Sequence, residues 1–222
     1  MARPRSAGYA DQRDQILAKA SALFAQQGYT ATSMNQVAAA CELSKAALYH
    51  YVRDKHALLA LVAEAHVKRL EAVVEEVLSQ PLSPEARLRE LIVRFVREYA
   101  NAQNEHRVLT EDVKFLEDTE REQVLAIERR VVNAFADTVA TVRPALKPVD
   151  LHKPLTMLLF GMINWMFTWL KPAEDGQRLT HEQMAPMVAE LFFGGLGAVS
   201  VPAAPTESPA SRKKTPRKET AL

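Results

Sequence analysis

Apolar residues recur three or four positions apart through most of the chain, and no segment alternates between apolar and polar residues as a half-buried strand does. Cap residues, prolines and glycines bound the apolar repeats and divide them into about nine helices. We therefore predict an all-α protein. The predicted helices span approximately residues 11–27, 33–41, 44–52, 54–79, 83–99, 108–116, 119–143, 150–171 and 180–195.

Two short predicted helices lie next to each other within residues 33–52. Ser33 and Ser44 stand at their starts, where a serine hydroxyl accepts a free backbone N–H. The apolar spacing breaks at residues 41–43, which indicates a tight turn. Glu42 costs about 1 kcal/mol there if the turn requires a positive φ. The pattern predicts a helix-turn-helix, whose second helix can lie in the major groove of DNA.

The second helix carries a more specific signal. Residues 44–51 (SKAALYHY), with Lys55 and Leu58 after them, resemble the DNA-binding segment of the TetR family of transcriptional regulators. Residues 28–34 (GYTATSM) resemble the same family, so the likeness covers roughly residues 10–60. The chain departs from the family pattern where Ala46 and Glu42 replace a frequent glycine and Val52 replaces a usual phenylalanine.

The resemblance, together with the polar start of the second helix, suggests which side chains contact DNA. Helix N-termini and cations suit phosphates, whereas longer polar side chains reach base edges. Tyr49 is alternatively a packing aromatic, and His50 a solvated helix residue. The candidates are Ser33 and Lys55 (phosphate), Ser44, Lys45, Tyr49 and His50 (phosphate or base edge), and Ala46 and Ala47 (close approach or a thymine methyl).

The net charge of +1 hides an asymmetry along the chain. Residues 1–56 and residues 201–222 each carry a net charge of +3, so the segment between them carries −5. We predict a helix-turn-helix DNA-binding domain with an N-terminal arm over residues 1–56 and a helical ligand-binding and dimerisation domain over 57–200. We expect residues 201–222 to form a basic, disordered tail. Arg3 and Arg5 of the arm either reach the minor groove or make no fixed contact.

The composition also limits the cellular setting. The first residues are polar rather than a signal peptide, and the most apolar stretch, residues 155–170, is shorter than the roughly 20 residues of a membrane span. The single cysteine, Cys41, fits a reducing compartment. We therefore expect a cytoplasmic protein without a membrane segment.

The TetR resemblance implies a homodimer that binds a small hydrophobic effector among its body helices and then releases double-stranded DNA. The helix that starts at Asp54 belongs to both domains and is the expected lever. Residues 159–172 are similar to a subgroup that responds to acyl-CoA thioesters, which implies an apolar pocket with Arg or Lys near its mouth. The candidate effector residues, each alternatively a core residue, are Phe95, Tyr99, Phe115, Phe160, Asn164, Trp165 and Trp169.

Other functions leave no comparable signal. The chain has no glycine-rich phosphate loop, no HExxH motif and no histidines at metal-ligand spacing, so we predict no catalysis, no cofactor and no metal site. We expect a ligand-released repressor whose dimer binds an inverted repeat through recognition helices about 34–36 Å apart. The alternatives are a regulator of an efflux pump that responds to hydrophobic drugs, a ligand-independent DNA-binding protein, and a helical interaction module without DNA binding.

Overall fold

A computed structural model describes residues 7–170 and 179–201, without the side chains of Ala7 and Phe167. All regular structure in these two ranges is helical, which confirms the all-α prediction. Single 3₁₀ turns occur at Val113–Phe115 and Pro144–Leu146. The α-helices are α1 (Ala7–Gln27), α2 (Met34–Ala40), α3 (Lys45–Tyr49), α4 (Lys55–Ser79), α5 (Pro84–Asn101), α6 (Gln103–Asp112), α7 (Asp118–Val142), α8 (His152–Asn164), α9 (Met166–Trp169) and α10 (His181–Ala198).

The predicted helix over residues 150–171 is divided in the structure. Asp150 has a left-handed backbone with φ of 54°, so the helix begins at His152 instead. The far end stops at Asn164, and the four-residue α9 follows. Apolar spacing continues across this break, so the sequence pattern could not reveal it.

The turns around the first helices follow from local chemistry. Ser33, Ser44 and Asp54 each adopt an extended N-cap conformation and accept a hydrogen bond from the backbone N–H three residues later. Gly28 ends α1 with φ of 87°, and Glu42 takes φ of 55° in the turn between α2 and α3. Glu42 therefore has the positive φ that was considered for this turn.

The N-terminal helices enclose one hydrophobic cluster that also includes residues of the body. Its central side chains come from α1, α2, α3 and the first half of α4, and Val108, Leu116 and Val124 join them from the body. The DNA-binding helices therefore do not have a separate core, and the division at residue 56 stays a prediction. The N-terminal members include Ile16, Ala20, Phe24, Tyr29, Val37, Leu48, Val52, Leu58, Val62 and Val67.

The second hydrophobic cluster is the core of the body. It lies among the second half of α4 and helices α5, α7, α8 and α10, around the fully buried rings of Phe95 and Phe135. Helix α4 contributes Leu70, Val74 and Val77 to this cluster. With 25 residues, α4 is about 37 Å long, so it passes from one cluster into the other as one rigid element.

One face of α8, α9 and α10 leaves large apolar side chains in solvent. Leu158 and Leu191 are 66% and 70% exposed. The described residues of the chain therefore leave one side of the apolar segment 150–171 uncovered. No helix in the described ranges is long and apolar enough to cross a membrane. The exposed members of this face are Leu158, Trp165, Trp169, Met187 and Leu191.

Candidate nucleic-acid interface and effector cavity

Helix α3 presents a polar surface because its apolar side is anchored in the core. Leu48 is fully buried, and the hydrogen bond from the Ala47 N–H to the Ser44 hydroxyl fixes the first turn. Tyr49 is 43% exposed, so its ring is not a core residue. The exposed residues of the helix and its caps are Ser44, Lys45, Ala46, Tyr49 and His50, with Ala47 half-buried beside them.

Ser33 is exposed at the start of α2, where it forms a capping box with Gln36. Its hydroxyl accepts from the Gln36 N–H at 3.3 Å, and the Gln36 side chain accepts from the Ser33 N–H at 2.8 Å. The capping arrangement holds the helix N-terminus in place at the surface. Contact between these groups and a phosphate stays a prediction.

The ammonium group of Lys55 is already hydrogen-bonded within the protein. Its ammonium donates to the carbonyl oxygens of Tyr29, Thr30 and Thr32 at 3.0, 3.3 and 2.9 Å. It also lies 4.5 Å from the centroid of the Tyr29 ring. An ammonium has three N–H donors, and all three have acceptors here. The phosphate role predicted for Lys55 therefore needs at least one of these bonds to break, and the observed contacts tie α4 to the α1–α2 connection.

A cavity of about 580 Å³ lies among α4, α5, α6, α7 and α8. Its volume is within the range of small-molecule sites. The apolar part of its wall consists of Val67, Leu70, Leu109, Leu125, Val131, Val132, Met157 and Phe160. The polar and aromatic part consists of Tyr99, His106, Thr110, Glu128, Arg129, Asn133, Lys153 and Asn164.

Three of the seven predicted effector residues, Tyr99, Phe160 and Asn164, line this cavity. The other four do not line it. Phe95 is fully buried in the core behind Tyr99 and Phe160, and it does not reach the cavity surface. The other three lie elsewhere: Phe115 packs on Tyr29 of the DNA-binding region, and Trp165 and Trp169 are 66% and 50% exposed on the outer face.

His106 is a cavity residue that the sequence analysis missed. Its ring stacks on Tyr99 with centroids 3.8 Å apart, and its Nδ1 is 3.4 Å from Nε2 of His66 on α4. Burial lowers the pKa of His106 to about 4 and that of His66 to about 3. Both rings are therefore neutral near pH 7, and an N–H on one ring donates the hydrogen bond to a nitrogen of the other. Only the packing of α6 against α4 reveals the pair, since the two residues are 40 positions apart.

Charged groups occupy two parts of the cavity wall. Burial raises the pKa of the Glu128 carboxyl, although the neighbouring Arg129 acts in the opposite direction. Arg129 is exposed at the mouth and forms an ion pair with Glu122. Lys153 is also exposed at the mouth. The cavity therefore combines an apolar interior with a carboxyl in its wall and two cations at its opening.

Comparison with known proteins shows which family the chain belongs to. The family model for bacterial regulatory proteins of the tetR family matches residues 16–62. The model for the tetracyclin repressor-like C-terminal domain matches residues 81–196, which is more than half of the chain. The chain belongs to the TetR family. The resemblance seen in residues 10–60 is therefore confirmed.

Solved TetR-family structures extend the likeness over most of the chain. A TetR-family transcriptional regulator from Bordetella parapertussis 12822 is 33% identical, with a TM-score of 0.76, over 85% of this chain and 97% of that chain. AibR, solved in complex with isovaleryl coenzyme A and operator DNA, is 30% identical, with a TM-score of 0.70, over 82% of this chain and 98% of AibR.

A curated relative covers a shorter region. YxaF of Bacillus subtilis (strain 168), an uncharacterised HTH-type transcriptional regulator, is 32% identical over 91 residues. This match spans 41% of the present chain and 46% of YxaF, which is less than half the length of either protein.

Membership of the TetR family makes this protein a DNA-binding transcriptional regulator, since TetR proteins regulate through DNA binding and are not enzymes. The described ranges contain no group of three histidine, cysteine, aspartate or glutamate side chains arranged to hold a metal ion. The predicted arm residues Arg3 and Arg5 and the basic residues of the tail lie outside the described residues.

Proposed function

We propose that this TetR-family protein is a ligand-released repressor that binds an inverted-repeat operator as a homodimer. The observation that carries the proposal is the dual position of α4. Its Lys55 contacts the α1–α2 connection, and its Val67 and Leu70 line the cavity. A ligand that displaces the cavity wall therefore acts on a rigid element that also holds the DNA-binding helices.

The proposed DNA contacts are those of the exposed α3 surface and the start of α2. Lys45, Tyr49 and His50 supply the long polar side chains, and Ala46 permits close approach to the groove. Since these are few, we expect the operator's sequence preference to depend strongly on them. Ser33 and Ser44 position backbone N–H groups toward phosphates.

The dimer uses the exposed apolar face of α8, α9 and α10. Large side chains such as Leu158 and Leu191 are more than half exposed on it, and burying them gains about 25 cal/mol per Å² of apolar surface. Two copies of α8 and α10 form a four-helix interface around a two-fold axis. This arrangement repeats α3 at the spacing of two half-sites.

The proposed effector is an acyl-CoA thioester. The apolar interior suits an acyl chain, and Arg129 and Lys153 stand at the mouth where an anionic coenzyme enters. AibR, a structural relative, was solved with isovaleryl coenzyme A. The resemblance of residues 159–172 to acyl-CoA-responsive regulators agrees with this assignment.

An operator-release experiment tests the proposal. The DNA upstream of the protein's own gene, labelled with a fluorophore, is titrated with protein, and isovaleryl-CoA is then added to the complex. We expect two protein chains per inverted repeat and dissociation on addition of the thioester. Moving occupancy from 99:1 to 1:99 requires a difference of about 5.5 kcal/mol in ligand affinity between the two states. A complex that no acyl-CoA of any chain length releases would contradict this effector class.

Glu128 favours a second candidate effector, a hydrophobic cationic drug, as expected of an efflux-pump regulator. Its carboxyl lies in the same wall as the Tyr99 and Phe160 rings, and a carboxylate beside aromatic rings suits a cation. The Glu128→Gln variant separates the two candidates. Drug binding that the parent shows and Glu128→Gln loses supports the cationic effector, and a parent that binds the thioester but no cationic drug supports the thioester. A thermal-shift screen without any hit would favour the ligand-independent DNA-binding protein.

A further inference from the structure

Two polar side chains in the wall of the effector cavity have no partner within the described protein. The hydroxyl of Tyr99 on α5 and the carboxyl of Glu128 on α7 form no hydrogen bond or ion pair in residues 7–170 and 179–201. Both line a cavity whose wall is otherwise largely apolar. A polar group that leaves water without a hydrogen bond costs free energy. Such groups in a cavity wall therefore indicate which ligand atoms the cavity accepts.

The contacts of Tyr99 leave its hydroxyl end for the cavity. One face of the ring stacks on His106 with centroids 3.8 Å apart, and the Phe95 ring packs at a steep angle with centroids 5.9 Å apart. Tyr99 is only 5% exposed, and this remaining surface belongs to the cavity wall. The packed ring holds the hydroxyl in one position, where it can donate one hydrogen bond and accept others.

Glu128 is half-buried in the same wall. The next residue on α7, Arg129, forms its ion pair with Glu122, so the Glu128 carboxyl is left unpaired. Burial, and to a smaller extent the charge of Glu128, raise the pKa of the Tyr99 hydroxyl. The carboxyl and the hydroxyl therefore lie near enough to influence each other, although no hydrogen bond joins them.

The other polar groups of the inner wall are less available to a ligand. The Thr110 hydroxyl already donates to two backbone carbonyl oxygens, at 3.1 and 3.0 Å. The His106 ring has a histidine neighbour at 3.4 Å. The Oδ1 atom of Asn164 is fully buried, so a ligand reaches it only if the side chain moves. Tyr99 and Glu128 are thus the inner groups that a ligand can pair directly.

A ligand hydroxyl matches this pair, because a hydroxyl donates and accepts at once. A carbonyl oxygen only accepts, and a plain hydrocarbon chain leaves both protein groups unpaired. We propose that Tyr99 and Glu128 bind a hydroxyl group of the effector, so that the acyl group of the thioester is a hydroxyacyl group. The hydroxyl accepts from the Tyr99 hydroxyl and donates to the Glu128 carboxyl. This inference rests on the proposed function, because it specifies the acyl group of the same ligand.

Thioesters that differ by one hydroxyl test the inference. Isothermal titration of the full-length protein compares isovaleryl-CoA with its 3-hydroxy and 4-hydroxy derivatives. We expect at least one derivative to bind about tenfold more tightly than isovaleryl-CoA, because its hydroxyl pairs groups that the plain chain leaves unpaired. In a cavity without partners the added hydroxyl weakens binding. If neither derivative binds more tightly, the inference is wrong.

Substitutions in the pair test which side chains are responsible. Tyr99→Phe and Glu128→Met each remove one partner of the hydroxyl and should abolish the preference, whereas Glu128→Gln should keep part of it because the amide oxygen still accepts. Tyr29→Phe is the matched control, since the Tyr29 hydroxyl is also buried without a partner but lies at the α1–α2 connection. It should keep the full preference. A preference that survives both Tyr99→Phe and Glu128→Met would contradict the assignment.

A second pair of probes, 2-naphthol and naphthalene, contains no thioester and separates this inference from the proposed effector class. If no thioester binds, but 2-naphthol binds more tightly than naphthalene and Tyr99→Phe removes the difference, the hydroxyl site stands and only the thioester is wrong. If the thioesters bind without a preference for a hydroxyl, the effector class stands and the hydroxyacyl assignment is wrong. If neither the thioesters nor 2-naphthol bind, both are wrong.

Discussion

Phe115 stacks on Tyr29, with ring centroids 5.3 Å apart and ring planes at 27°. Phe115 ends the short turn directly after α6, and α6 supplies His106 and Leu109 to the cavity wall. Tyr29 lies in the connection between α1 and α2, and its carbonyl accepts a hydrogen bond from Lys55. The stacked pair therefore joins the helix that lines the effector cavity to the segment that precedes the recognition helices.

We predict that Phe115→Ala weakens the coupling between ligand and operator. The variant removes the ring contact without touching the cavity or α3, so each affinity alone should change little. Residues along a coupling route alter the coupling free energy by about 0.5–2 kcal/mol. The ratio of the operator dissociation constants with and without saturating isovaleryl-CoA measures this coupling free energy. Phe193→Ala is the control, because Phe193 packs against Arg89 elsewhere in the body. An unchanged ratio in Phe115→Ala would show that the stack carries no coupling.

Lys55→Met should weaken operator binding because α4 is no longer held to the α1–α2 connection. A lost phosphate contact is not the expected cause. The substitution removes three hydrogen bonds that hold α4 to the α1–α2 connection. The dependence of the logarithm of the binding constant on the logarithm of salt should keep its slope. Lys45→Ala, at the exposed start of α3, should instead reduce that slope by about one if Lys45 contacts a phosphate. A slope reduced equally by Lys55→Met would restore the phosphate role of Lys55.

Stability should fall on mild acidification because of the buried histidine pair. The folded-state pKa values of His66 and His106, about 3 and about 4, lie below the ordinary 6.5. Between pH 6.5 and 4 the unfolded chain binds protons that the folded chain excludes, so the free energy of unfolding falls as the pH falls. His66→Gln should reduce the loss between pH 7 and pH 5 by on the order of 1–2 kcal/mol.

Urea unfolding at the two pH values checks this prediction. His50→Gln, at an exposed position after α3, is the control. Equal losses in the parent and in His66→Gln would mean that His66 is protonated in the folded protein.

Leu191→Glu should convert the proposed dimer to a monomer. Leu191 is 70% exposed on the apolar face of α10, where the proposed interface would bury a charge without a partner. Leu78→Glu is the control, since Leu78 is 41% exposed on α4 outside that face. Sedimentation equilibrium should show a dimer for Leu78→Glu and a monomer for Leu191→Glu. If both variants are dimers, the interface does not lie on this face of α10.

Glu42→Gly should stabilise the protein by about 0.5–1 kcal/mol, because a left-handed conformation is unfavourable for glutamate and accessible to glycine. The observed φ of Glu42 is 55°. Gln123→Gly on the exposed side of α7 is the control, and it should destabilise by about 1 kcal/mol as glycine does within a helix. Thermal unfolding measures both. A lower melting temperature for Glu42→Gly would mean that the Glu42 side chain makes a stabilising contact.

The sequence alone determined the helical architecture and the DNA-binding region. Both depend on local signals: apolar spacing along each helix, cap residues such as Ser33 and Ser44, and a short motif in residues 44–51. Such signals act between residues within about one helical turn. The structure confirms the all-α fold and both serine caps, and the family matches confirm the TetR resemblance.

Only the tertiary structure decided which side chains share the cavity. Tyr99, His106, Glu128 and Lys153 come from four different helices, and no local pattern records which faces of those helices meet. Aromatic content does not identify cavity residues for the same reason, since Trp165 is 66% exposed although its neighbour Asn164 lines the cavity. Helix packing sets these positions through contacts between residues far apart in the chain, and spacing along one helix carries no information about them.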